Sequence, residues 1–114
     1  MRETFHLTPL EAWEAADPDA PLTAPSLASE GFIHCTDGVD AMVATANRHY
    51  AWVPGPFVVL TLDLERCGSP WRIDAPGTPY PHIYGPIDRR AILSVTDIRR
   101  AADGTFLEFT PGIN

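Results

Sequence analysis

A chain of 114 residues, 45% apolar and 20% charged, is one domain's worth and can bury roughly two thirds of its unfolded surface in a single core. That excludes a multidomain machine, a disordered tail and a miniprotein held by disulfides, and no apolar run approaches the ~20 residues needed to span a membrane. The net charge is −7: residues 1–57 carry 8 acids against Arg2 and Arg48, residues 58–114 carry 7 acids against 6 arginines, and there is no lysine.

This balance argues against general nucleic-acid binding, because a phosphate-tracking groove needs many cations. A small anionic ligand met by one or two arginines remains allowed. Lacking an amine, the chain has neither Schiff-base nor P-loop chemistry available. Cys35 and Cys67 fall in no CxxC pattern, so buried free thiols are expected and no metal site. The first residues show no basic segment leading into a long apolar one, from which a cytoplasmic location is expected.

Residues 4–8 (TFHLT) alternate, which predicts a strand with Phe5 and Leu7 on one face and Thr4, His6 and Thr8 on the other. Thr8-Pro9-Leu10-Glu11 reads as a capping box opening a helix that Asp17-Pro18 ends. The three prolines of residues 17–26 predict a stiff loop, and Phe32–Thr36 a second strand. After Asp37-Gly38, Val39, Met42, Val43, Ala46 and Tyr50 recur at helical spacing.

Pro54-Gly55-Pro56 separates this helix from the most apolar run, Phe57–Asp63, expected as a central strand. Trp71–Ile73 predicts a short strand, followed by a proline-rich loop and the segment His82–Pro86. Ile92–Val95 and Thr105–Phe109 read as closing strands. The whole predicts one α+β domain over residues 1–114, with about six short strands in a split, mostly antiparallel sheet and two main helices.

Three histidines carry the chemical interest. His6 and His34 sit in matching tetrapeptides, Phe5-His6-Leu7-Thr8 and Ile33-His34-Cys35-Thr36, where strand periodicity puts each histidine beside a threonine. His82 and Tyr84 share a face of a segment bracketed by Pro79, Pro81 and Pro86, and Gly85 permits close approach of a ligand or backbone. Each has a plain structural reading too: His6 at a solvated sheet face, His34 as a hydrogen-bonded core residue, Tyr84 as a core seal, Arg48 as a helix surface charge. His49 reads as a solvated helix residue.

Paired His-x-Thr motifs resemble those of phosphoesterases that act on cyclic phosphates, one imidazole serving as base and the other as acid. A more specific resemblance spans residues 3 to 96. Phe5–Thr8, Trp13, Pro25–Thr36 with its Gly-Phe-Ile-His-Cys-Thr run, Ala46–Arg48 and Pro81-His82-Ile83-Tyr84-Gly85-Pro86 together resemble the bacterial and plant domain-of-unknown-function family 952. The fold this resemblance implies is similar to ADP-ribosyltransferases, which bind NAD across a split α+β sheet.

On that analogy His6 and Tyr84 would position the nicotinamide ribose, His34 or His82 would act as general acid or base, and Arg48 would meet a pyrophosphate. Thr8, Thr36 and Gly85 would complete the ligand contacts, and Glu108 is a weak match for the transferase glutamate. Leu7 departs from the pattern, standing where the transferases commonly have glycine. The expectation is therefore a pocket for a small nucleotide-like ligand, with NAD as a candidate cofactor and ADP-ribosyl or phosphoryl transfer as the candidate reaction. The rival is a binding module whose histidines are structural. Nothing in the sequence points to a protein partner.

Overall fold

The computed structural model describes residues 1–112. In chain order the elements are β1 (Glu3–Pro9), α1 (Leu10–Ala15), α2 (Pro25–Glu30), β2 (Ile33–His34), α3 (Val39–Tyr50), β3 (Phe57–Asp63), β4 (Trp71–Arg72), β5 (His82–Ile83) and β6 (Ile92–Asp97). Single 3-10 turns occupy Leu64–Arg66 and Arg89–Ala91. The strands form two three-stranded antiparallel sheets, ordered β1-β3-β6 and β2-β5-β4.

Strand β3 is buried along its whole length because it is central in its sheet and both faces are covered. Val58, Leu60 and Leu62 meet Ile33 of β2 and Ile83 of β5, so the second sheet lies against this face. Phe57 and Val59, on the opposite face, pack on Met42 and Ala46 of α3 and on Phe5, Phe106 and Phe109. Each fully buried leucine or valine contributes roughly 1.5–3 kcal/mol relative to exposure.

Alternation in β1 holds as expected. Phe5 pairs with Thr61 and Leu7 with Val59, and both pack toward α3, whereas His6 pairs with Leu60 and Thr8 with Val58, on the face toward the second sheet. That register decides which residues can meet β2.

Three expectations need correction. No capping box forms at Thr8: β1 continues through Pro9 opposite Phe57, Leu10 N–H donates to the Pro56 carbonyl at 3.0 Å, and α1 starts with no side-chain cap. The strand pairing outcompetes the local helix signal. A further short helix, α2, starts on Pro25 and ends on Gly31, whose φ of +88° is the left-handed conformation that glycine adopts freely.

The closing strand expected at Thr105–Phe109 is reduced to one bridge, Arg100 with Phe106. Asn47 takes the place of a strand neighbour: its Nδ2 donates to the Phe106 carbonyl at 2.9 Å, and Phe106 N–H donates to Asn47 Oδ1 at 2.7 Å. Held this way, Phe106 drives its ring into the core under α3. The sixth strand is instead β5, drawn from the proline-bracketed His82 segment. No helix is long and apolar enough to cross a membrane among the described residues.

Candidate functional site

The two sheets meet along the outer edge of β1. Phe5 N–H donates to the Thr36 carbonyl at 3.0 Å and Thr36 N–H to the Phe5 carbonyl at 2.8 Å, which ties this edge to the chain just after β2. Beyond that bridge the edge opens into a cavity of about 740 Å³, within the range of roughly 300–1,000 Å³ typical of small-molecule sites. Strand β1, the start of α2, the β2 and β5 strands and the last turns of α3 form its walls.

Six of the eight residues singled out in the sequence line this cavity: His6, Thr8, His34, Thr36, Arg48 and His82. Tyr84 and Gly85 do not. Tyr84 turns its hydroxyl onto Asp74, outside the lining. Gly85 is required by packing, since a Cβ there would fall 2.5 Å from Ser69 Oγ. Glu108 also lies elsewhere, paired with Arg99.

His6 is the most enclosed of the lining histidines, 7% exposed. Its Nδ1 lies 2.7 Å from the His34 carbonyl. A carbonyl only accepts, so Nδ1 carries the hydrogen and Nε2 keeps its lone pair. Nε2 makes no hydrogen bond among the described residues and retains access to the cavity. Burial pushes the His6 pKa below its ordinary value, because an imidazolium there would lose its hydration. His6 is thus a neutral proton acceptor of fixed tautomer.

His34 contributes chiefly through its backbone. Its ring sits at the rim, half exposed, with Nε2 3.0 Å from Oε2 of Glu30, the last residue of α2. His82 lies deeper, and its Nδ1–H donates to Asp74 Oδ2 at 2.8 Å. Its ring stacks on Phe32 with centroids 4.0 Å apart and planes 12° apart, and stands edge-on to His34 at 5.3 Å.

Arg48, on the last turn of α3, donates from Nη1 to the Tyr80 hydroxyl at 3.3 Å and pairs with no carboxylate among the described residues. That hydrogen bond, helped by one with Thr45, draws the Tyr80 pKa below the usual phenol value. Among the described residues Glu30 is the one carboxylate on the lining. The cavity therefore has a basic corner at Arg48, a neutral imidazole on β1 and a carboxylate at the His34 rim.

Sequence reasoning missed Glu30, Tyr80 and Asp74, and it placed His49 in solvent, whereas this exposed residue also forms part of the rim. A hairpin reading of β4 and β5 would have found Asp74. Arg72 pairs with His82 across the ladder, and alternation puts Arg72, Asp74, His82 and Tyr84 on one face. No group of three or more potential metal-ligating side chains occurs among the described residues. Cys35 and Cys67 are buried free thiols, and burial pushes the Cys35 pKa far up, which keeps it unreactive.

Comparison with known proteins places the chain in a wider set. Residues 7–95 match the family described as Protein of unknown function (DUF952). The chain is similar to the crystal structure of protein CC0527 from Caulobacter crescentus, at 25% identity and a TM-score of 0.71, covering 92% of this chain and 93% of that one. The solution structure of CC0527 gives 23% identity and a TM-score of 0.66 over 91% and 90% of the two chains, which supports the shared fold. No curated protein matches.

Proposed function

The chain belongs to the DUF952 family of proteins of unknown function, and we propose that its cavity binds a small, anionic, nucleotide-like ligand on which His6 acts as proton acceptor. The observation that carries this reading is His6 itself: a buried imidazole whose Nδ1–H is fixed on the His34 carbonyl, leaving Nε2 toward the cavity. A neutral base within reach of a ligand hydroxyl is what general base catalysis requires near pH 7.

Two features support the ligand class. Arg48 offers a guanidinium with no carboxylate partner, suited to phosphate oxygens. Because Phe5 turns its N–H and C=O outward, alternation turns those of Leu7 to the same open edge. That adjacent donor and acceptor suit a planar amide or base edge. A ligand with an amide-bearing ring at one end and phosphates at the other satisfies both.

In its narrower form the reaction is transfer of ADP-ribose from NAD. An acceptor hydroxyl attacks the ribose carbon, its proton passes to His6 Nε2, and the carbon–nitrogen bond breaks with its electron pair returning to the nicotinamide nitrogen. Glu30, rather than Glu108, is the carboxylate available to this site. The paired His-x-Thr reading has some support as well, since His6, Thr8, His34 and Thr36 all line the cavity. It would need His82 as its second imidazole, because the His34 ring is engaged with Glu30 at the rim.

Titrating histidine-labelled protein with NAD, ADP-ribose and a 2′,3′-cyclic nucleotide tests the reading. Shifts of the His6 signals with NAD and ADP-ribose are expected, and shifts with the cyclic nucleotide alone would favour the phosphoesterase form. If His6 responds to none of the three, the nucleotide reading is wrong and a binding module for another ligand takes its place.

A further inference from the structure

Asp74 lies outside the cavity lining, yet it gathers more hydrogen bonds than any side chain near it. Its Oδ2 accepts from His82 Nδ1–H at 2.8 Å and from the Tyr84 hydroxyl, while its Oδ1 accepts from Arg72 Nε at 2.7 Å. These bonds, led by those from Tyr84 and His82, hold its carboxyl down at about 2, so it is ionised at any physiological pH. All four side chains come from one face of the β4–β5 hairpin. Arg72 also lies over the Tyr84 ring, its Cζ 4.3 Å from the centroid.

We infer that Asp74 is a positioning residue for the cavity, fixing His82 as the Nδ1–H tautomer so that Nε2 is the nitrogen that exchanges a proton with the ligand. A carboxylate can only accept, and its Oδ2 therefore requires the hydrogen on Nδ1. The stack on Phe32 fixes the plane of the ring, and with Nδ1 tied the direction of Nε2 is set as well. When Nε2 takes a proton, the charge that appears on the ring is met by Asp74 across the existing hydrogen bond, the role of the orienting carboxylate in a catalytic triad.

His6 and His82 then share a tautomer but not an environment. One is backed by a neutral carbonyl, the other by a carboxylate tied to Tyr84 and Arg72. In the cyclic-phosphate form of the reaction His6 takes the proton of the attacking water and His82, protonated at Nε2 from solvent, gives one to the leaving oxygen; the proton on His6 then passes to solvent, which restores both rings. This role rests on the proposed function, but the arrangement that supports it can be measured without any ligand.

Nitrogen-15 spectra of histidine-labelled, ligand-free protein above the titration of its imidazoles read each ring's tautomer. Expected are a protonated Nδ1 and an unprotonated Nε2 for His82. In Asp74→Ala, His82 should go over to a majority of the Nε2–H form, with His6 unchanged. Tyr84→Phe leaves the acceptor in place and should leave the His82 tautomer as it was. A wild-type His82 in the Nε2–H form, or an Asp74→Ala protein that keeps Nδ1–H, overturns the inference. The wild-type spectrum alone can do so, even should the variant fail to fold. Failure of nucleotides to bind would instead count against the proposed function and leave this measurement standing.

Discussion

Replacing His6 with glutamine isolates what a buried imidazole does to acid stability. His6 is 7% exposed and its pKa is pushed down by burial. In the unfolded chain the same ring titrates near ~6.5. As the pH falls through that value the unfolded state takes up a proton that the folded state refuses, so stability is full above about pH 6.5 and declines below it until the folded ring itself titrates. While the folded ring stays neutral, the loss is up to about 1.4 kcal/mol per pH unit. Every other ionisable group is common to the two proteins, so its contribution cancels in the comparison. Glutamine carries an amide that can still donate to the His34 carbonyl but does not titrate. Urea denaturation of wild type and His6→Gln at pH 7.5, 6 and 5 should therefore show the wild type losing more stability on acidification. Parallel losses, or a wild type that gains stability in acid, would refute the picture of a neutral, desolvated His6.

Other substitutions test how the site is held. Asn47→Ala removes two hydrogen bonds to the backbone of Phe106 and leaves its N–H and C=O unpaired, for an expected loss of roughly 2–4 kcal/mol in chemical denaturation. A loss below about 0.5 kcal/mol would mean that Phe106 is anchored by its ring alone. Gly85→Ala places a Cβ 2.5 Å from Ser69 Oγ and 2.9 Å from Ser69 Cβ, and should cost about 1–3 kcal/mol. Ser69→Gly should recover most of that loss. Ligand affinity should be unchanged in the double variant, and an affinity loss there would return Gly85 to the binding site.

Much of the frame was legible in the sequence for identifiable reasons. The Phe57–Asp63 run is continuously apolar because β3 is covered on both faces, and Met42 and Ala46 mark the buried side of α3 at helical spacing. The alternation of β1 correctly put His6 and Thr8 on one face. Local signals failed where long-range pairing prevailed. Thr8-Pro9 kept its ladder to Val58 and Phe57 instead of capping a helix, and Thr105–Phe109 keeps only a single bridge to Arg100 while Asn47 takes the backbone of Phe106.

The site was legible as residue types but not as a division of labour. The echo of Phe5–Thr8 in Ile33–Thr36 brought both histidines to one cavity, yet it is the carbonyl of His34 that orients His6. Backbone groups carry no sequence signature, so this could not be read in advance. Tyr84 was rightly grouped with His82, but the partner they share, Asp74, comes into view only when β4 and β5 are read as one hairpin with Arg72 opposite His82.

The most direct test of the central claim is the affinity of ADP-ribose for the wild type and for Arg48→Ala, measured by calorimetry at low ionic strength. A cavity that reads phosphate through Arg48 should bind ADP-ribose in the wild type and lose tenfold or more in the variant, about 1.4 kcal/mol or greater. Equal affinity in the two proteins, or no binding to either, would contradict it.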